Sequence, residues 1–285
     1  MGHAMNAITT TGETNAAYHA DVTHVSHSSL ERFISSPAIF HGLYVTRSIP
    51  WPMPSKAMLL GSLLHMAVLE PERLNEEYLI APARCKARSG GLWDGVAEEA
   101  KATGRTPSLY SMMEDAATMA IAVGRCSTAM ALLSSPWGRA EQSIRWTDPA
   151  TGIECKARPD WLIDHLDLAS PVVTEIKSSA DPTPWAFART AALYGYHRQA
   201  AFYLDAVEVL TGKRGTWIFI VVGSSQPHDV YTYDLDPRDL LAGAEQNMRA
   251  IVSLAKCYAE DSWLTEGQHE IQTLELPPWA RRSDE

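Results

Sequence analysis

Residues 153–177 read IECKARPDWLIDHLDLASPVVTEIK, and the fold turns on them. Between Ile153 and Ile163 apolar and polar residues alternate. Ile153, Cys155, Ala157, Trp161 and Ile163 fall on one face of an extended strand, and Lys156, Arg158 and Asp160 on the other. A loop follows, in which Asp164 and Asp167 read as turn residues. In the next run Val172, Thr174 and Ile176 alternate with Val173, Glu175 and Lys177. Two such strands side by side bring two carboxylates and an ammonium onto one patch. Hard divalent cations bind through one or two carboxylates together with water and phosphate oxygens. Such cations clamp the attacking and leaving oxygens of an in-line displacement. A lysine there orients the water or offsets charge growing on phosphorus. The main-chain carbonyl of Ile176 is a further ligand candidate. This is the pattern of a metal-dependent phosphodiesterase.

Two more elements have matching order and spacing. Upstream, Gly61-Ser-Leu-Leu-His65 lies in an apolar helical run, with Gly61 one turn before His65 on the same face. Taken alone, His65 reads as a core histidine packed through a small residue. Downstream, Gln199 and Tyr203 lie one turn apart on a helix, with Arg198 beside them. Together Pro159-Asp160, Glu175-Ile176-Lys177, Gly61…His65 and Gln199…Tyr203 resemble the PD-(D/E)xK nuclease superfamily in its RecB-like branch. The opening Ser26–Pro37 and the stretch through Leu69-Glu70-Pro71 look like the start of the RecE-type exonuclease (exonuclease VIII) catalytic domain. The resemblance spans residues 18–265.

It implies an α/β, restriction-endonuclease-like fold: a mixed central β-sheet flanked by helices, with an N-terminal helical segment. Asp160, Glu175, Lys177 and His65 would be catalytic. His65, Asp160, Glu175 and the Ile176 carbonyl would hold Mg²⁺, with Mn²⁺ as a substitute and two ions per site. Gln199, Tyr203, Ser178, Arg158 and Arg198 would contact DNA or phosphate. Glu141 reads as a surface glutamate first and as a minor metal candidate second. The implied activity is ATP-independent digestion of linear duplex DNA from its ends, 5′ to 3′, leaving 3′ tails for recombination. Implied partners are a homo-oligomeric ring (trimer or tetramer) and a single-strand annealing protein. A single-strand nuclease, an endonuclease and a nonenzymatic DNA-binding protein with a decayed site are the alternatives.

Composition sets the bounds. The 285 residues carry a net charge of −10 and are 46% hydrophobic, enough for a sizeable core. An acidic chain argues against a broad basic DNA-binding face and for a focused site with few phosphate contacts. No G-x-x-x-x-G-K-[ST] loop occurs, so no ATP motor is expected. Four scattered cysteines, without a C-x-x-C pair, read as reduced thiols of a cytoplasmic protein, and the resemblance implies a bacterial or phage-encoded one. The cysteines argue against the iron–sulfur cluster that some relatives hold. No apolar run approaches the roughly 20 residues that span a bilayer.

Residues 1–17 are expected to be a disordered or vector-derived tail, 18–265 one nuclease domain and 266–285 a C-terminal tail. Residues 6–25 read as irregular. Helices are expected over Leu30–Ile34, capped by Ser28 or Ser29, over 56–69, over 107–133 with a bend near Gly124, and over 182–193, 197–210 and 237–261. Strands are expected at 143–147, 217–222 and 230–234. The basic, glycine-rich run 83–95, with Arg84, Lys86 and Arg88, reads as a solvated or DNA-contacting loop.

Overall fold

Caps decide many of the element boundaries in the computed structural model, which describes residues 7–10, 13–265, 268, 271, 273–277 and 280. The chain opens with strand β1 (Ile8–Thr10) and helix α1 (Asn15–Ala20), where irregular structure was expected. Helix α2 (His27–Ser35) starts one turn before the expected Leu30. Its cap is Ser26, whose side chain accepts from Ser29 N while Ser29 Oγ accepts from Ser26 N, a reciprocal capping box. After α3 (Pro37–Phe40), Ser55 caps α4 (Lys56–Leu69), and Glu70-Pro71 ends it as the sequence predicts. Then follow α5 (Leu74–Glu77), β2 (Tyr78–Ile80), α6 (Gly91–Thr103) and β3 (Thr106–Ser108). The expected loop 83–95 therefore ends at Gly90, and its last residues are helical. Helices α7 (Tyr110–Arg125) and α8 (Ser127–Leu133) meet at 92°, the bend falling at Cys126 rather than at Gly124.

The second half supplies β4 (Gly138–Ala140), β5 (Ser143–Thr147), β6 (Glu154–Ala157), β7 (Trp161–Ile163) and β8 (Val172–Ser179). Helices α9 (Pro184–Leu193) and α10 (Tyr196–Thr211), strands β9 (Thr216–Gly223) and β10 (Val230–Asp234), and helix α11 (Pro237–Glu260) complete it. The main sheet has the order β10-β9-β8-β7-β4, parallel between β8 and β9 and antiparallel elsewhere. A second sheet, β1-β5-β6, is antiparallel, and β2 and β3 form a small parallel pair. This is the mixed α/β architecture expected from the sequence.

Side-chain alternation along the inner strands divides the core into two layers. Val173, Trp217, Phe219 and Val221 pack with residues of α2, α9, α10 and α11. Ile176, Ile220 and Val222 pack on the opposite face against Leu64 of α4, Met119 and Val123 of α7 and Ala129 of α8. A third cluster joins α4, α6 and α7 over β2. Among the described residues, no single helix is long and apolar enough to cross a membrane.

One expectation fails in an informative way. The strand predicted from Ile153 to Ile163 is not continuous: β6 lies in the three-stranded sheet and β7 in the five-stranded one. Pro159 has no N–H for a ladder, and the break shifts the alternation by one residue. Cys155 and Ala157 face the main core before it, but Leu162, not Trp161 or Ile163, does so after it. The partner hairpin arm breaks too, at Glu141 (φ 49°) and Gln142 between β4 and β5. Glu141 N donates to the Asp160 carbonyl across this double kink.

Candidate active site

The double kink gathers the charged groups. Asp160 follows the proline, and its Oδ2 accepts from Ile176 N of β8 at 2.7 Å. From the next layer His65, on the last turns of α4, places Nδ1 3.2 Å from Asp160 Oδ1 and Nε2 2.8 Å from the Ile176 carbonyl oxygen. Glu175 and Lys177, two apart on β8, share a face, and Lys177 Nζ donates to Glu175 Oε1 at 2.7 Å. Gln199 Nε2, one turn into α10, donates to the same oxygen at 2.6 Å. Tyr203, one turn further, packs edge-on to Trp217 and lines the same cleft. His65, Asp160, Glu175, Lys177, Gln199, Tyr203 and the Ile176 carbonyl thus converge.

Glu141 lies beside them, half-buried on the cleft wall rather than on the open surface. Its carboxylate pairs with Arg158 Nε at 2.8 Å. Donor atoms of His65, Glu141 and Asp160 lie within 4.8 Å of one another. Each of the two glutamates has one oxygen engaged, Glu141 Oε2 by Arg158 and Glu175 Oε1 by Lys177 and Gln199. Sequence reasoning ranked Glu141 low because a lone glutamate before a short strand carries no pattern. The left-handed conformation that aims it inward is a strained one for a non-glycine residue.

Two expected contacts are elsewhere. Arg198 turns away from Gln199, and its guanidinium forms a two-pronged pair with Glu31 of α2 at 2.5 Å on each arm, so it is held as a strut between helices. Ser178 lies on the opposite face of β8 from Glu175 and Lys177, beside Gly61. Arg158 does line the cleft. The four cysteines are spread over the molecule: Cys85 is in the helical cluster and Cys155 in the main core, where burial pushes its thiol up.

The electrostatics follow from burial. It opposes charge on His65, but Asp160 outweighs it and lifts the imidazole to about 9. The Asp160 carboxyl is held below its usual range, because His65, Lys177 and the Ile176 N–H overcome desolvation. Burial, and then repulsion from Asp160, push Glu141 up to about 7 and Glu175 upward too. Lys177 stays charged: burial works against it, and Glu175 and Asp160 prevail. Crowding three acidic groups into one low-dielectric cleft makes it costly to keep all of them ionised. Glu175 Oε2 is buried without a hydrogen-bond partner among the described residues. Carboxylate oxygens, a carbonyl and an imidazole are the donor set of a divalent cation, and these residues fit one.

A mixed sheet with an acidic residue after a proline and a Glu-x-Lys strand beside it defines a PD-(D/E)xK-type domain. Residues 26–272 match the family described as "PDDEXK-like domain of unknown function (DUF3799)", and the chain belongs to that family. No curated protein matches it. Among solved structures it is similar to a protein from Eubacterium rectale described as a "Putative exonuclease", at a TM-score of 0.58 and 16% identity, over 94% of this chain and 95% of that one. At that identity the likeness concerns the fold. A second structure, SSO0001, has a TM-score of 0.29 at 16% identity over 66% of this chain and 84% of that one, too slight to bear on the fold.

Proposed function

We propose that this protein is a Mg²⁺-dependent, ATP-independent deoxyribonuclease of the RecE-like type, digesting linear duplex DNA from its ends, 5′ to 3′, to leave 3′ single-stranded tails. The reading includes a homo-oligomeric ring around the duplex, a single-strand annealing protein as partner in recombination, and a cytoplasmic setting. The observation that carries it is the meeting of His65, Asp160, Glu175, Lys177 and the Ile176 carbonyl around one stretch of β8. The description of the Eubacterium rectale protein agrees with an end-directed activity.

His65, Glu141, Asp160, Glu175 and the Ile176 carbonyl would hold the metal. When bound, Mg²⁺ or Mn²⁺ supplies Lewis-acid stabilisation of the phosphate oxygens and a water ionised at neutral pH. Lys177, kept as an ammonium by Glu175, orients the attacking water and offsets negative charge on phosphorus. Gln199 fixes the Glu175 carboxylate, so that one oxygen stays with Lys177 and the other faces no protein donor.

The test is a time course on linear duplex carrying a 5′ or a 3′ end label, run separately with Mg²⁺ and beside a covalently closed circle. Early release of the 5′ label, late release of the 3′ label and an intact circle are expected. Cleavage of the circle at the same rate would make it an endonuclease. Digestion of single strands alone would make it a single-strand nuclease. No hydrolysis with either Mg²⁺ or Mn²⁺ would overturn the enzyme reading.

A further inference from the structure

The cleft has a wall that lies outside the family match. That match begins at residue 26, whereas Asn15, Tyr18 and His19 line the cleft from α1. The segment is fastened at several points. β1 pairs with β5, and Arg145 of β5 reaches Glu13 at 2.7 Å and Asp21 at 3.1 Å. Lys156, 3% exposed, donates to the carbonyl oxygens of Tyr18 and Asp21 and sits 4.2 Å from the centre of the Tyr18 ring. Burying an ammonium is costly, and here main-chain dipoles and a ring face compensate it. Lys156, which alternation places on the face of Arg158 and Asp160, is thus a clasp.

Beneath the clasp lies Arg158, 7% exposed. Its Nε is bound to Glu141, its Nη2 donates to the Glu13 carbonyl at 3.1 Å, and its guanidinium carbon is 5.5 Å from the centre of the Tyr18 ring. Nη1 is buried and has no hydrogen-bond partner among the described residues. Arg73, the other guanidinium lining the cleft, is bound on both terminal nitrogens by Glu70 and Glu77. A buried donor left unpaired costs on the order of 1–3 kcal/mol, more for a charged group. A ligand oxygen would recover that cost. The cleft measures 210 Å³, room for a phosphate group beside Arg158.

We propose that residues 13–21 are a strap that completes the active site, holding Arg158 so that Nη1 binds a non-bridging phosphate oxygen. The proposal rests on the nuclease reading for its substrate. It does not rest on that reading for its anion site: a nucleotide can bind whether or not it is cleaved. Tyr18 and Lys156 are positioning residues acting through Arg158.

The experiment is calorimetric titration of thymidine 5′-monophosphate into the full chain and into Arg158→Gln, Arg158→Lys, Tyr18→Ala and Lys156→Met, each checked by thermal unfolding. Steady-state kinetics on a single-stranded oligonucleotide run alongside. Arg158→Gln is expected to weaken nucleotide binding about tenfold or more, with Arg158→Lys between it and the parent. Tyr18→Ala and Lys156→Met should raise KM more than they lower kcat. Added guanidinium should restore part of the loss in Arg158→Gln. Nucleotide affinity unchanged in both Arg158 variants would overturn the proposal and leave Arg158 as a tie to Glu141. Should Arg158→Gln fail to fold, an unchanged affinity and KM in Tyr18→Ala and Lys156→Met would overturn it equally. Arg158-dependent binding without hydrolysis would retain the strap and sink the nuclease reading, and the reverse pattern would do the opposite.

Discussion

His65 Nε2 lies 2.8 Å from the carbonyl oxygen of Ile176, a residue 111 positions further along the chain. The same imidazole meets Asp160 with its other nitrogen. One side chain on α4 therefore touches both strand segments of the site, and helix and sheet are locked in register at the point where chemistry is expected. Packing of Leu64 against Ile176, Ile220 and Val222 provides the apolar half of that lock.

Removing these contacts separates metal binding from folding. In Asp160→Asn the amide oxygen still accepts from Ile176 N, so the fold is kept while the charge is lost. Mn²⁺ affinity by calorimetry should fall on the order of 100-fold or more, since even outer-shell partners of a metal site are worth 10–100-fold. Asp160→Ala loses the Ile176 bond as well and should also unfold at a lower temperature. His65→Ala should weaken one metal and slow turnover. Wild-type Mn²⁺ affinity in Asp160→Asn would remove Asp160 from the ligand set.

Lys177→Met keeps the bulk of the side chain and deletes the ammonium beside Glu175. Turnover should drop about 10²–10³-fold, the usual loss when one preorganised electrostatic group is removed. DNA binding and Mn²⁺ binding should persist, because Lys177 is not a ligand. Retention of full activity in a gel-based hydrolysis assay would assign the water-handling step to another group.

How much of this was legible depends on what encodes it. The ends of α4 were readable from Ser55 and Glu70-Pro71, because a cap and a proline act locally. So were β5, β8, β9 and β10, whose alternation or unbroken apolar run is written in consecutive residues. The tertiary switch at Pro159 was not readable. A single proline inside an alternating run signals an edge or a bulge equally well, and nothing local says that β6 and β7 leave for different sheets. The strap was missed for a related reason. Residues 13–21 bury one apolar residue, Tyr18, and owe their order to Arg145 and Lys156, more than 120 positions away. Arg198 stands beside Gln199 in sequence, but neighbours on a helix point about 100° apart, and Glu31 claims the guanidinium.

Two glycines should respond oppositely to alanine. A Cβ on Gly243 of α11 would stand 2.4 Å from the His197 carbonyl oxygen and 2.7 Å from its carbon, both main-chain atoms that cannot yield without moving α10. Gly243→Ala should cost about 1–3 kcal/mol by urea unfolding. A Cβ on Gly61 would meet only Ser178 Oγ, at 3.8 Å, an ordinary contact. Gly61→Ala should therefore keep or raise stability, by up to about 1 kcal/mol from helix propensity. The room that Gly61 leaves one turn from His65, open to metal or DNA, adds a second readout. If that room is used, Gly61→Ala loses hydrolysis while unfolding no earlier, and unchanged hydrolysis would show that the space is idle.

The Glu31–Arg198 pair should make stability depend on acid in a defined window. Burial alone would raise the Glu31 carboxyl, but its bonds to His27 and Arg198 outweigh that and bring it to about 2, from an ordinary 4.5. A carboxyl depressed in the folded state adds stability above its unfolded value. That contribution fades as pH falls from 4.5 towards 2. With the side chain 26% exposed, solvent screening reduces the contribution to about 1–2 kcal/mol. Glu31→Gln should therefore be less stable than the parent by that amount at pH 7. The gap should begin to narrow below pH 4.5, shrink to about half by pH 3 and close towards pH 2, read from urea unfolding at each pH. A gap of the same size at pH 7 and pH 3 would mean that the two arms of the pair act through shape and neutral hydrogen bonding, not through charge.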